Sequence, residues 1–284
     1  MPSRPAAVAG TWYPGSAGAL TREVDGYVQR AGEWPGGSIR SVIAPHAGLM
    51  FSGPVAAHAY KAAATQSFEV AVLVGPSHFV GFEGVALFPD GAFTTPLGDA
   101  RIDDRGARAM SASSIVRSLP QAHQREHSLE MQLPFLQRLL PDVPIVPLLI
   151  GHQTRDTIVA LGGALATAFR DRRALLVAST DLSHYFDARR AQELDGRVLA
   201  RIDAFDPDGL LDLFEQYPED ERGRHVACGG GAAIAVMMAA RALGARSGRV
   251  LHYAHSGEVS GDYDGVVGYV AAVFGSFEGG AHAG

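Results

Sequence analysis

Four short apolar runs punctuate the chain, and each stops at a residue able to do chemistry. Ser41 to Pro45 stops at His46, Val70 to Ser77 at His78, Ile145 to Ile150 at Gly151 and His152, and Leu175 to Thr180 at Asp181. The runs are rich in Val, Ile and Leu and lack polar alternation, which is the pattern of strands buried on both faces. In sheets built from such strands, ligands gather beyond the carboxyl ends. His46, His78, Asp181 and the nearby His184 are therefore expected to converge, although they are far apart in sequence.

Between the runs the apolar spacing changes from strand-like to helical. Helices are predicted over Leu20 to Ala31, over Pro54 to Thr65 (entered through Gly53-Pro54), over Asp103 to Met110, and over Ser128 to Leu140 with a kink at Pro134. Further helices are predicted over Thr154 to Arg170, Ala188 to Ala204, Asp208 to Gln216 and Gly229 to Leu243. Strands are predicted over Ile39 to Pro45, Glu69 to Pro76, Val143 to Ile150, Leu175 to Ser179, Arg249 to His255 and Gly265 to Phe274. Val85 to Phe88 and Thr94 to Ile102 read as a local β insertion around the Pro89-Asp90-Gly91 turn. The result is an α/β fold: a single domain over residues 1–278 with a central, mostly parallel or mixed sheet flanked by helices, and a flexible Gly-rich tail at 279–284.

Bulk properties narrow the function more than the fold. The chain has 284 residues and 47% hydrophobic content, enough for a large core. Its net charge is −6 and its cations are scattered, so a nucleic-acid partner is not expected. The first residues lack the apolar core of a signal peptide, and no apolar stretch approaches the ~20 residues of a membrane span. A cytoplasmic protein without membrane contact is expected. The lone cysteine, Cys228, excludes an internal disulfide.

His46 in Ala-Pro-His-Ala-Gly and His78 in Gly-Pro-Ser-His-Phe each follow a proline where a strand gives way to a loop. Two strand-end imidazoles make half of a transition-metal site. Further ligands are open among Cys228, Asp181, His184, His127 and Glu126. A single histidine in such a place is more often a hydrogen-bonded core residue; two in parallel contexts favour function. Cys228 precedes Gly229, Gly230 and Gly231 at a helix start, a position that favours thiolate, although a lone cysteine is also a good small core residue. Asp181 and His184, three apart, would share one face of a helical turn and form an acid and base pair, with Asp181 alternatively an N-cap. Glu126 and His127 form another acid and base, or a capping cluster. Trp12 and Tyr13 either line the pocket or pack the first helix. No phosphate-binding loop, dinucleotide fingerprint or nucleophile elbow is present, which argues against a nucleotide cofactor and a serine hydrolase.

Taken together, these segments resemble a known family. Pro5 to Gly15, Ala44 to Gly48, Gly75 to His78, Glu126 to Pro134, Ser179 to His184, and Cys228-Gly229 are similar, in order and spacing, to the Memo family, also called AmmeMemoRadiSam system protein B. The resemblance implies a fold like that of the class III extradiol ring-cleaving dioxygenases. It also implies His46, His78 and Cys228 as metal ligands, with Asp181 and His184 as pocket acid and base. Cysteine stands where those dioxygenases use a carboxylate, which argues against ring cleavage and toward iron or copper, with zinc as a further option. Bacterial relatives are expected beside a radical-SAM protein and another partner of the same system, and animal relatives are linked to phosphorylated receptor tails. The leading expectation is a metal-dependent redox enzyme acting on oxygen or a small molecule. Its rivals are a non-catalytic metal- or peptide-binding module and, more weakly, a zinc hydrolase.

Overall fold

A computed structural model describes residues 3–277, so the boundary at 278 and the tail at 279–284 lie outside the described residues. All four apolar runs form strands: Ser38–Ala44, Val70–Pro76, Ile145–Ile150 and Ala174–Ser179. They lie side by side and parallel, in the order Ser38–Ala44, Ala174–Ser179, Val70–Pro76, Ile145–Ile150. Every residue of the last three is buried, so both faces are covered. The sheet is mixed overall. Val266–Ser276 adds antiparallel to Ser38–Ala44 and also pairs with Ser247–His255 and His184–Phe186, while Val85–Leu87 and Val116–Ser118 extend the opposite edge.

Two groups of helices cover this sheet. Leu49–Ala63 packs on Ser38–Ala44 with Ala17–Arg30 and Leu133–Leu139 around it; Gly230–Ala242 packs on the central strands with Arg155–Ala168 and Pro207–Phe214. Small residues allow the second group to pack tightly: a Cβ added at Gly162 would meet Met238 Cβ at 3.1 Å and the Ala235 carbonyl at 3.2 Å. Apolar side chains from both groups join one continuous core. Among the described residues no single helix is long and apolar enough to cross a membrane.

The structure departs from the sequence pattern in several places. The second helix begins at Leu49, so Pro54 lies inside it rather than at its start. A tertiary contact secures the extra turn, because the Leu49 N–H donates to the Trp12 carbonyl at 2.8 Å. Conversely, Ser128 to Leu140 is not one kinked helix. A 3-10 turn at Glu130–Gln132 precedes the helix Leu133–Leu139, and Pro134 sits in its first turn, where a missing N–H costs nothing. Thr94 to Ile102 is a hairpin of Ala92–Thr95 and Gly98–Arg101, which pairs with an N-terminal strand, Ser3–Arg4, too short to show in the pattern. Asp181 to His184 makes no helical turn: His184 begins a short strand, and Asp187, not Asp181, caps the following helix Ala188–Asp203.

Candidate metal centre

Parallel alignment brings the carboxyl ends of the strands to one edge of the sheet, and the loops leaving them form a cavity of about 480 Å³. His46, His78, His127, Asp181, His184, Cys228 and Trp12 line it. Glu126 and Tyr13 do not. Glu126 lies behind His78, and Tyr13 is a core residue whose hydroxyl donates to Glu130 at 2.7 Å. His152, which also ends a strand, points to the surface, where it meets Glu219 at 3.2 Å.

Each histidine is held from behind. Ser179 Oγ donates to the Ser128 carbonyl at 2.6 Å and accepts from Gln132 Nε2 at 2.7 Å, so the His46 Nδ1, 2.9 Å away, is left to be the donor. That turns His46 Nε2 toward Cys228 Sγ, 3.2 Å away. Gln132 is itself fully engaged, with its amide nitrogen also donating to the Pro45 carbonyl and its oxygen accepting from Tyr60. On the second histidine, the Nδ1 donates to Glu126 Oε1 at 2.9 Å, and the same carboxylate accepts from the His78 backbone N–H at 2.6 Å. Glu126 also accepts from the backbone N–H groups of His127 and Ser128, each at 2.9 Å, so its capping and site roles coexist. Burial raises its proton affinity, but these donors together with the charge of His78 hold its pKa at about 2.

Cys228 sits at the 80° bend between helices Glu219–His225 and Gly230–Ala242. Gly229 permits the approach, since a Cβ there would meet the Ser179 carbonyl at 2.4 Å. The sulfur is 3.4 Å from the Asp181 backbone N–H. Burial raises its pKa, but the charge of His46 and hydrogen bonds with His46 and His78 outweigh this and hold the thiol at about 6. His78 moves the opposite way: burial lowers its pKa, and hydrogen bonds to Cys228 and Glu126 more than reverse the effect. Burial and the neighbouring charges of His46 and His78 lower His127 to about 3. It is a neutral ring stacked on His78 at 4.6 Å and tilted against Trp12 at 4.3 Å.

Asp181 is buried, and its carboxylate accepts from the His46 backbone N–H at 2.8 Å. It does not bond His184 Nδ1, which among the described residues is buried without a partner. Burial raises the Asp181 pKa, against the charge of His184.

The ligand atoms of His46, His78 and Cys228 lie within 4.8 Å of one another, as do those of His78, Glu126 and His127. The first trio suits a metal better. In both imidazoles a hydrogen bond holds the far nitrogen, so the near nitrogen is the one a metal would take in place of a proton, and the third donor is a thiol held low. In the second trio the carboxylate is already occupied by the His78 ring and three backbone N–H groups.

The Memo-like protein family matches residues 4–273. The chain belongs to this family. A MEMO1 family protein of Methanopyrus kandleri is 38% identical over 285 residues, covering 95% of this chain and 98% of the relative. Another, from Methanothermobacter thermautotrophicus, is 38% identical over 280 residues, covering 95% and 99%. An uncharacterized protein of Escherichia coli K12 shares the fold at a TM-score of 0.58 and 14% identity, covering 84% of this chain and 100% of that one. The supporting residues Ser179 and Gln132 lay within family-like segments but gave no signal of their own, because a serine and a glutamine acquire their meaning only from the groups they touch. Tyr185 and Arg224, which also line the cavity, lie outside those segments.

Proposed function

We propose that this member of the Memo-like family is a metal-dependent redox enzyme, with iron or copper held by His46, His78 and Cys228 and a small molecule as substrate. The observation that supports it best is the double arrangement behind the ligands: Ser179 fixes one imidazole and Glu126 the other, so both Nε2 atoms face the one thiol of the chain. Two imidazoles and a thiolate form a softer donor set than one containing a carboxylate, which favours a redox-active transition metal. A metal bound there would supply electron transfer and polarisation of a coordinated oxygen.

The chain's own residues carry the other tasks. Ser179 and Glu126 hold the orientation of the two rings. Cys228 gives up its proton readily. His184 lines the cavity, which suits its imidazole to exchange a proton with the substrate. Asp181 fixes the His46 loop through the backbone and places a carboxylate beside His184.

The test is metal content and affinity of anaerobically purified protein for iron, copper and zinc, wild type against Cys228→Ser, followed by oxygen consumption with candidate substrates. Cys228-dependent binding of iron or copper together with turnover is the expected result. Full metal affinity in Cys228→Ser would overturn the ligand set. Metal binding without any turnover would make the protein a metal- or peptide-binding module, and zinc-dependent ester hydrolysis lost in His78→Ala would make it a hydrolase.

A further inference from the structure

The cavity has a chemical gradient from floor to mouth. His46, almost fully buried, and the half-buried Cys228 lie at the floor and His78 is more open, while Trp12, 38% exposed, and Tyr185, 69% exposed, stand at the opening, with Val267 and Ala47 adding apolar wall. Large exposed rings lining a cavity favour a flat partner, because stacking buries much area at little entropic cost. One arginine, Arg224, belongs to the same lining. Its guanidinium rests over the Phe186 ring at 4.8 Å, and among the described residues it has no carboxylate partner. In this it differs from Arg138, Arg201 and Arg241, whose guanidinium groups meet Asp25, Asp206 and Asp208. Asp181 does not neutralise it, since that carboxylate is bound to the His46 backbone.

We propose that the substrate of this site is a small planar molecule bearing a carboxylate, with its flat part against Trp12 and Tyr185 and its acid group on Arg224, which acts as the specificity-determining residue. The proposal rests on the reading of this cavity as an active site. Stacking on Phe186 orders the guanidinium while leaving its N–H edge open, the arrangement that makes a two-pronged grip on a carboxylate efficient. Arg222 steadies the carrier segment: its Nε donates to the Tyr217 carbonyl at 3.1 Å and another guanidinium nitrogen to the Gln153 carbonyl at 3.2 Å.

The test uses benzoate and cinnamate against their neutral amides, benzamide and cinnamamide, titrated into the metal-bearing protein. Calorimetry and Trp12 fluorescence report binding, and a Trp12→Phe control assigns the optical signal. The acids are expected to bind about tenfold or more tighter than the amides, a preference lost in Arg224→Gln with metal content unchanged. Equal binding of acids and amides, no binding of either acid at millimolar concentration, or an unaltered preference in Arg224→Gln would overturn the proposal. An Arg224-dependent preference for the acids in a protein whose Cys228→Ser variant keeps full metal affinity would uphold it while refuting the metal-centred reading, so the two can fail separately.

Discussion

Glu126 Oε1 lies 2.9 Å from His78 Nδ1, and through this contact a buried carboxylate behind the cavity decides which nitrogen of the ring faces Cys228. Partners of this kind around metal sites typically contribute 10- to 100-fold in affinity. Glu126→Gln keeps the shape and one oxygen acceptor but loses the charge. It should lower metal affinity by about tenfold while far-UV circular dichroism stays unchanged. An unchanged affinity in competition titrations would show that His78 needs no such orientation.

The Cys228 thiol should titrate far below an ordinary cysteine in the metal-free protein. Alkylation by iodoacetamide followed against pH should reach half its limiting rate near the thiol's value of about 6, and His46→Ala should move the midpoint upward because the charge of His46 is the largest lowering cause. Bound metal should protect the sulfur. A midpoint near 8.5 in the wild type, typical of free cysteine, would contradict the electrostatics described.

Arg4 and Glu130 form an ion pair in which both side chains are essentially buried, 1% and 0% exposed. Arg4 also donates to the carbonyls of His123 and Glu126, tying the N-terminal strand to the back of the site. Arg4→Met would leave Glu130 buried with only the Ala7 and Val8 N–H groups and the Tyr13 hydroxyl. Breaking one side of such a pair costs about 3–5 kcal/mol, enough to lower Tm by roughly 10 °C, and the double variant Arg4→Met, Glu130→Gln should recover part of the loss. Thermal melting of the single and double variants checks both statements.

Acid should weaken the fold before most carboxylates titrate. Burial lowers His123 to about 3, and burial with the charges of His252 and Lys61 lowers His58 to about 4. Both are neutral when folded and take up protons on unfolding below about pH 6.5, so their contribution is complete above that pH and is lost as pH falls toward 4 and then 3. The slope is at most ~1.4 kcal/mol per pH unit for each group, less for the half-buried His58. Urea unfolding between pH 7 and 4 should show this decline, and His123→Gln should flatten it. A stability that stays level to pH 4 would refute the assignment.

Much of the architecture was legible in the chain. Val70 to Pro76, Ile145 to Ile150 and Ala174 to Ser179 are uninterrupted apolar segments, and a strand buried on both faces has no other way to be written. Because those strands run parallel, their ends had to meet, which brought His46, His78 and Asp181 together and set Cys228 beside them as the family resemblance implied. Helix starts were less legible. Leu49 begins a helix because of a hydrogen bond to Trp12, and Pro134 opens one instead of kinking it; both depend on neighbours distant in sequence.

The sequence by itself determined the parallel strands, the residue types at their ends and membership of the family, since these follow from local pattern and spacing. Only the tertiary structure decided that Glu126 supports His78 rather than facing the cavity, that Ser179 and Gln132 orient the His46 ring, that Asp181 holds a backbone N–H instead of His184, and that Arg224 joins the cavity lining with its guanidinium over Phe186. Hydrogen bonds and charge compensation are relations between segments, and no one-dimensional pattern records which donor reaches which acceptor once the chain has closed on itself.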